Sequence, residues 1–367
     1  MDNIEARSLL DEMMSDYRSV PHLYKAGNFW KFYEKNILKE IKKNNLNQFR
    51  SWTGGAGTGS IISFHGGEVE LNRDFGRYFH PYDFKYSFLD NNFFVRKYNS
   101  LINKLSKINS FFSYFALRAS EGRRAYFSKI KQLQEHLYQT VGYLDESLLE
   151  ISDSKFGNPY GITVKNKFYT SEFLRKLIQI NLIKSNTKFD EINYVIELGA
   201  GIGLLSSCFL KLKKNIKYII TDIAPTIFFS EYYLKNLGFK VFGYKQIKKI
   251  ENIDFNEIFK TYDVIILPTW KLKLLENFKA DIFISTKAFQ EIEREQSLNY
   301  LKIFKKIIKK YYYIMNVEIA DIAKKENDFG VLNPTTREDI EKELQSYTKI
   351  IKTRTYFNIY ETLFEKK

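Results

Sequence analysis

The residues with the clearest chemical purpose lie in Tyr194-Val-Ile-Glu-Leu-Gly-Ala-Gly-Ile-Gly-Leu-Leu-Ser206. A short apolar strand, Tyr194 to Ile196, ends on the carboxylate of Glu197. Gly199, Gly201 and Gly203 follow at alternate positions, with Ala200 between the first two, and Leu205, Phe209 and Leu212 then repeat at helical spacing. Strand, glycine turn and helix make a nucleotide cradle, because glycine lets the backbone turn sharply and approach a ligand that a Cβ would repel. A dinucleotide fingerprint requires Gly or Ala where this chain has Leu204, so the cradle is not read as a pyrophosphate site.

The spacing G-x-G-x-G behind an acid resembles motif I of the class I S-adenosylmethionine methyltransferases. That cofactor carries ribose hydroxyls, an adenine and a methionine tail but no phosphate, so a second carboxylate is expected at the end of the next strand. Tyr218-Ile-Ile-Thr-Asp222 supplies it, followed by Ile223. Asp263-Val-Ile-Ile-Leu-Pro-Thr-Trp270 is a further strand with an abrupt stop, expected to line the adenine through Pro268 and Trp270. It distantly echoes the Asn-Pro-Pro-Tyr element of amino-group DNA methyltransferases, but Leu267 stands where the base-binding Asn would be.

Ala280-Asp-Ile-Phe-Ile-Ser285 is another buried strand and leads into Thr286-Lys-Ala-Phe-Gln-Glu291. Open α/β sheets bind ligands at the carboxyl ends of their strands, which puts Lys287, Gln290 and Glu291 beside a transferable group. Glu291 is the candidate general base; an early-helix acid favoured by the dipole is the plainer alternative. Upstream, Phe156-Gly-Asn-Pro-Tyr-Gly161 reads as a turn at a domain boundary, or with Asn158 as a wall over the methionine end of the cofactor. A helix with Phe173, Leu174, Leu177 and Ile178 on its buried face follows.

The elements around these residues fall into two regions. Residues 1–150 read as a helical accessory or substrate region, with apolar stripes such as Phe29, Phe32, Tyr33, Ile37 and Ile41 taken as packing. Within it, the glycine-rich stretch 51–67 lacks a leading strand and a Lys-Ser/Thr pair, so it is not a P-loop; a mobile loop or an active-site lid remain the readings. Residues 151–367 read as the cofactor-binding domain. His22, His65, His80 and His136 are taken as structural, and Cys208, the single cysteine, as a core residue.

The chain has 367 residues and a net charge of +14. By halves the charge is +4 for residues 1–150 and +10 for residues 151–367, mostly from scattered lysines. This is read as diffuse bias rather than a nucleic-acid face, with a nucleotide-linked substrate, an anionic glycan or peripheral association with a membrane surface as the anionic alternatives. No apolar run reaches membrane-spanning length, and the start of the chain lacks a signal core, so a cytoplasmic protein is expected. Cys/His metal spacing is absent.

Taken in order, Gly157-Asn-Pro159, Ile196-Glu-Leu-Gly-Ala-Gly-Ile-Gly203, Thr221-Asp-Ile-Ala-Pro225, Ile266-Leu-Pro268, Asp281-Ile-Phe-Ile-Ser285 and Ala288-Phe-Gln-Glu-Ile292 resemble the sugar O-methyltransferase family of bacterial surface-polysaccharide clusters. The resemblance covers about the C-terminal three-fifths of the chain. It implies a Rossmann-like α/β fold, with a mostly parallel seven-stranded sheet of order 3-2-1-4-5-7-6, and S-adenosylmethionine as cofactor. It also implies a sugar or glycan acceptor, whether free, nucleotide-linked or polymeric. On this reading Gly199, Ala200, Gly201 and Gly203 approach the methionine portion. Asp222 and Ile223 hold the ribose, and Glu197 orders the loop and reaches the cofactor amine through water. No metal is needed, although a cation shared by Glu291 and another acid is compatible with it. The family tends to an Asn and a His before Phe-Gln-Glu, where this chain has Ser285 and Lys287, so the base would pass to Glu291, Lys287 or another group. The competing readings are a nucleic-acid (RNA) methyltransferase and a non-catalytic cofactor-binding scaffold.

Overall fold

The structure, a computed structural model, describes residues 1–43, 45–51, 68–71, 97, 101, 144–159, 161–164, 166–355 and 359–367. The glycine-rich stretch, apart from Ser51, and nearly all of the apolar stripes between 88 and 149 lie outside the described residues, as do His65, His80 and His136.

The strands are β1 (Glu68–Leu71), β2 (Gly161–Val164), β3 (Lys167–Tyr169), β4 (Tyr194–Leu198), β5 (Lys217–Asp222), β6 (Val241–Phe242), β7 (Val264–Pro268), β8 (Ala280–Thr286), β9 (Ile308–Val317), β10 (Tyr347–Thr355) and β11 (Ile359–Lys366). The helices are α1 (Asn3–Arg18), α2 (Asn28–Lys43), α3 (Glu146–Leu149), α4 (Ser171–Asn186), α5 (Leu204–Leu212), α6 (Thr226–Asn236), α7 (Tyr244–Ile247), α8 (Phe255–Thr261), α9 (Arg294–Ile307) and α10 (Arg337–Glu343).

The main sheet runs β10-β11-β9-β8-β4-β5-β7-β6, and β1, β2 and β3 form a small separate sheet. From β6 through β9 every pairing is parallel, whereas β11 is antiparallel to both β9 and β10. The fold is Rossmann-like. Its order matches the one the resemblance implies if β7 counts as third, except that eight strands are present rather than seven. The two-residue β6 adds an edge beyond β7, and β10, the sixth strand of the implied order, pairs antiparallel with β11.

Burial on both faces explains why β5, β7 and β8 are nearly continuous apolar runs. The chain moves from β4 to β5 in one direction across the sheet and from β8 to β9 in the other. With right-handed crossovers, α5 and α9 therefore cover opposite faces. β4 lies between β5 and β8, so the sheet changes direction at β4, and the loops after β4 and β8 open onto one crevice.

Among the described residues no helix is long and apolar enough to cross a membrane. Cys208 is fully buried in α5, as expected of a core residue, and burial pushes its thiol up to about 12.

Candidate active site at the switch point of the sheet

The glycine loop is built by backbone that only glycine accommodates easily. Gly199 sits at φ 74° and Gly203 at φ 77°. A Cβ on Gly199 would lie 2.4 Å from the Cβ of Ala288, so the β4 loop and the turn after β8 touch at this point. Gly199 N–H donates to Thr221 O at 2.9 Å, Gly203 N–H to Ala200 O at 2.9 Å, and Ser230 Oγ from α6 to Gly201 O at 2.7 Å. Gly203 then caps α5.

Asp222 closes β5 in register with Pro268 of β7. Its Oδ2 accepts the Gly201 N–H at 3.1 Å and its Oδ1 the Ile223 N–H at 2.8 Å. Burial pushes this carboxyl up to about 7, against the pull of those two donors, and the nearby Glu197 charge adds to the rise. Glu197 is itself buried and lifted to about 7, despite Lys176 and the Tyr218 hydroxyl, which donates to its Oε2 at 2.9 Å. Two acids thus lie beneath the loop with few compensating cations.

On the other side of β4, Phe289–Glu291 forms a single 3-10 turn ahead of α9. Its position is set by Asn316, a buried β9 residue whose Oδ1 accepts the Gln290 N–H at 3.1 Å. Lys287 holds φ 62°, rare for a residue with a side chain, and donates its N–H to Met315 O at 2.7 Å. Burial holds the Lys287 amine below its ordinary value; Arg175 and Lys176 of α4 add to this, while Glu172 and Glu291 oppose it. Glu291 is pushed up to about 8 by burial, with the Asp222 and Asp321 charges adding to the rise, while Lys287 and the Trp30 indole favour the ionised form. Gln290 Oε1 is enclosed yet receives no hydrogen bond among the described residues.

The structure therefore brings Glu197, Gly199, Ala200, Gly201, Gly203, Asp222, Ile223 and Pro268 to one side of a crevice and Lys287, Gln290 and Glu291 to the other. Asn158 is not among them. At φ 55°, it lines a separate groove with Met1, Asn3, Asn47 and Asn236, at the end of α6 away from Asp222. Trp270 packs on Tyr17 of α1 (ring centroids 5.5 Å apart) and on Tyr244 (6.2 Å).

Sequence reasoning missed the share of the N-terminal helices. Tyr17 feels the Asp222 charge, and Tyr33 that of Glu291. Trp30 bonds Glu291. The available signal was the run Phe29-Trp30 and Phe32-Tyr33, which carries more aromatic surface than one buried helix face needs.

No protein-family model matches the chain, and no curated protein matches it. Solved structures that match include an O-methyltransferase family protein from Burkholderia thailandensis, with 11% identity over 54% of this chain and 57% of that one and a TM-score of 0.35. A SAM-dependent methyltransferase from Aquifex aeolicus has 12% identity over 52% and 89% of the two chains and a TM-score of 0.34. Magnesium protoporphyrin IX methyltransferase from Synechocystis PCC 6803, with bound SAM, has 11% identity over 53% and 80% and a TM-score of 0.34. The match thus spans little more than half the length of the Burkholderia protein. Likeness at this level leaves the chemistry to this chain's own residues.

Proposed function

We propose that this chain is an S-adenosylmethionine-dependent O-methyltransferase acting on a sugar hydroxyl, in cytoplasmic nucleotide-sugar or surface-polysaccharide metabolism. The observation that carries the reading is the placement of a glycine cradle with a buried acid, Asp222, on one side of β4 and a high-pKa acid, Glu291, on the other.

The residues present fit the cofactor. Gly199 lets the loop after β4 close against Ala288, which a Cβ would prevent, and so shapes the backbone of the cradle. Asp222 has two donors on it, yet its four lone-pair sites leave room for the two ribose hydroxyls. Gly199, Ala200, Gly201 and Gly203 would border the methionine portion, and Ile223 and Pro268 the nucleoside. Glu197, beneath the loop, would reach the amine through water.

When bound, S-adenosylmethionine supplies a methyl group that its sulfonium already activates. The protein's task is then alignment and proton removal. Glu291 takes the hydroxyl proton, and Lys287, itself held below its ordinary value, favours the ionised form of Glu291. Gln290 Oε1, with no partner among the described residues, accepts from a second hydroxyl. The aromatic rings of Trp30 and Tyr33 beside these polar groups suit a sugar ring, which has apolar faces and a polar rim. The region 1–150 would close the acceptor side. Comparing glycans and nucleotide sugars from cells with and without this gene by mass spectrometry tests the acceptor. The reading expects a species heavier by one methylene only when the gene is present, and identical profiles contradict it.

A further inference from the structure

Helix α4 covers the face of the sheet that carries Glu197. Glu197 pairs in register with Ile284, so Thr286, two residues further along β8, points to the same side. Lys176 of α4 reaches that residue, its Nζ donating to Thr286 Oγ1 at 3.2 Å. Gln179, one turn on, donates its Nε2 to Sδ of Met315, the register partner of Thr286 on β9, at 3.2 Å. α4 also packs against α5, the helix that the glycine loop opens. Apart from these two residues its inner face is apolar, with Phe173, Leu174, Leu177, Ile180 and Ile183 all buried.

The two polar residues are left short of partners. Lys176 is half-buried and its ammonium has three donors, yet among the described residues it makes no ion pair. Gln179 Oε1 is enclosed and has no hydrogen-bond partner among the described residues. The adjacent cation, Arg175, is already paired with Glu172 at 3.0 Å. Enclosed polar groups at the carboxyl ends of strands, beside a glycine cradle, call for a polar ligand. On the proposed reading the nucleoside lies over β5 and β7, so the cofactor's other end runs across β4 towards β8. That end is a zwitterion, with an ammonium and a carboxylate on one carbon. It suits an acid and a cation that stand on one face without neutralising each other, as Glu197 and Lys176 do.

We propose that Lys176 binds the carboxylate of the cofactor's methionine tail, with Thr286 steadying its amine, while Glu197 serves the ammonium beside it. This rests on the reading of the glycine loop as a cradle for S-adenosylmethionine. The charge of Lys176 already favours the ionised form of Glu197, as a shared polar pocket requires.

The test is calorimetric titration of the full chain with S-adenosylmethionine and with its decarboxylated form, which keeps the sulfonium and the ammonium but lacks the carboxylate. The wild type should prefer the intact cofactor by about ten- to a hundredfold, the worth of a charge-assisted contact. Lys176→Met should lose that preference by weakening the intact cofactor without weakening the decarboxylated one, and Lys176→Arg should keep part of it. Thermal melting checks that each variant is folded. Equal wild-type affinity for the two ligands overturns the proposal, whatever the variants do. A folded Lys176→Met that keeps the wild-type preference, or that weakens both ligands alike, also overturns it. If the wild type binds neither ligand, the cradle reading itself fails and the proposal with it.

Discussion

Asp222 and Glu291 face one crevice from either side of β4, and the charge of Asp222 helps to keep Glu291 protonated. One acid stands where a cofactor's hydroxyls would be held, the other where an acceptor's would be deprotonated. Their coupling implies that anything neutralising or screening Asp222 also adjusts Glu291.

For transfer, the ionised form of Glu291 is the active one. Its carboxyl is raised to about 8, so the rate should climb with pH through about 8 and fall away below it. Glu291→Gln should cut turnover by roughly 10²- to 10⁴-fold and remove that limb of the profile, with little change in cofactor affinity. Steady-state rates between pH 6 and pH 10, on the order of five values, would check this.

Stability should depend on pH in the opposite sense from that of a salt-bridged protein. Glu197 and Glu291 are raised from 4.5 to about 7 and about 8, and Asp222 from 3.8 to about 7. The folded state therefore holds more protons than the unfolded state between the ordinary and the raised values. Stability from these groups is present at low pH and is lost as pH rises through that window. The ligand-free protein should melt at a lower temperature at pH 8 than at pH 5, and Glu291→Gln should flatten part of the slope. Calorimetric scans at the two values would read it.

Two glycines separate backbone strain from collision. Gly238 lies at φ 84° with nothing among the described residues within 4 Å of an added Cβ, so Gly238→Ala should cost about 1 kcal/mol, from conformation alone. Gly199→Ala adds an approach of 2.4 Å to Ala288 and should cost at least about 2 kcal/mol more, with loss of cofactor binding. Denaturant unfolding of the pair would measure the difference.

Arg50, in the turn Leu46–Ser51, makes a buried two-pronged pair with Asp153 at 2.8 and 3.1 Å. Thr170 and Tyr233 hydroxyls also donate to that carboxylate. Asp153→Ala leaves the guanidinium buried and uncompensated, and should destabilise by about 3–5 kcal/mol in urea melts.

Much of the site's cofactor side was legible because it is local. Buried parallel strands are unbroken apolar runs, and an acid or a glycine ending such a run stands out, as at Glu197, Gly199 and Asp222. β10 was not legible: Tyr347-Thr-Lys-Ile-Ile-Lys-Thr-Arg-Thr355 mixes lysines and threonines as an edge strand does, without a clean alternation. Neither Trp30 nor Asn316 could be read from spacing, because each acts on a residue brought near only by the fold. Asn158 illustrates the converse. A conspicuous turn just upstream of β4 lies in space beside the far end of α6.

Calorimetric titration of the full chain with S-adenosylmethionine, for the wild type and Asp222→Ala, tests the central claim most directly. The account predicts one cofactor bound per wild-type chain, with affinity falling as pH drops through about 7 and Asp222 becomes protonated. Asp222→Ala should lose most of that affinity while melting cooperatively. Absence of wild-type binding, or equal affinity in a folded Asp222→Ala, would contradict it.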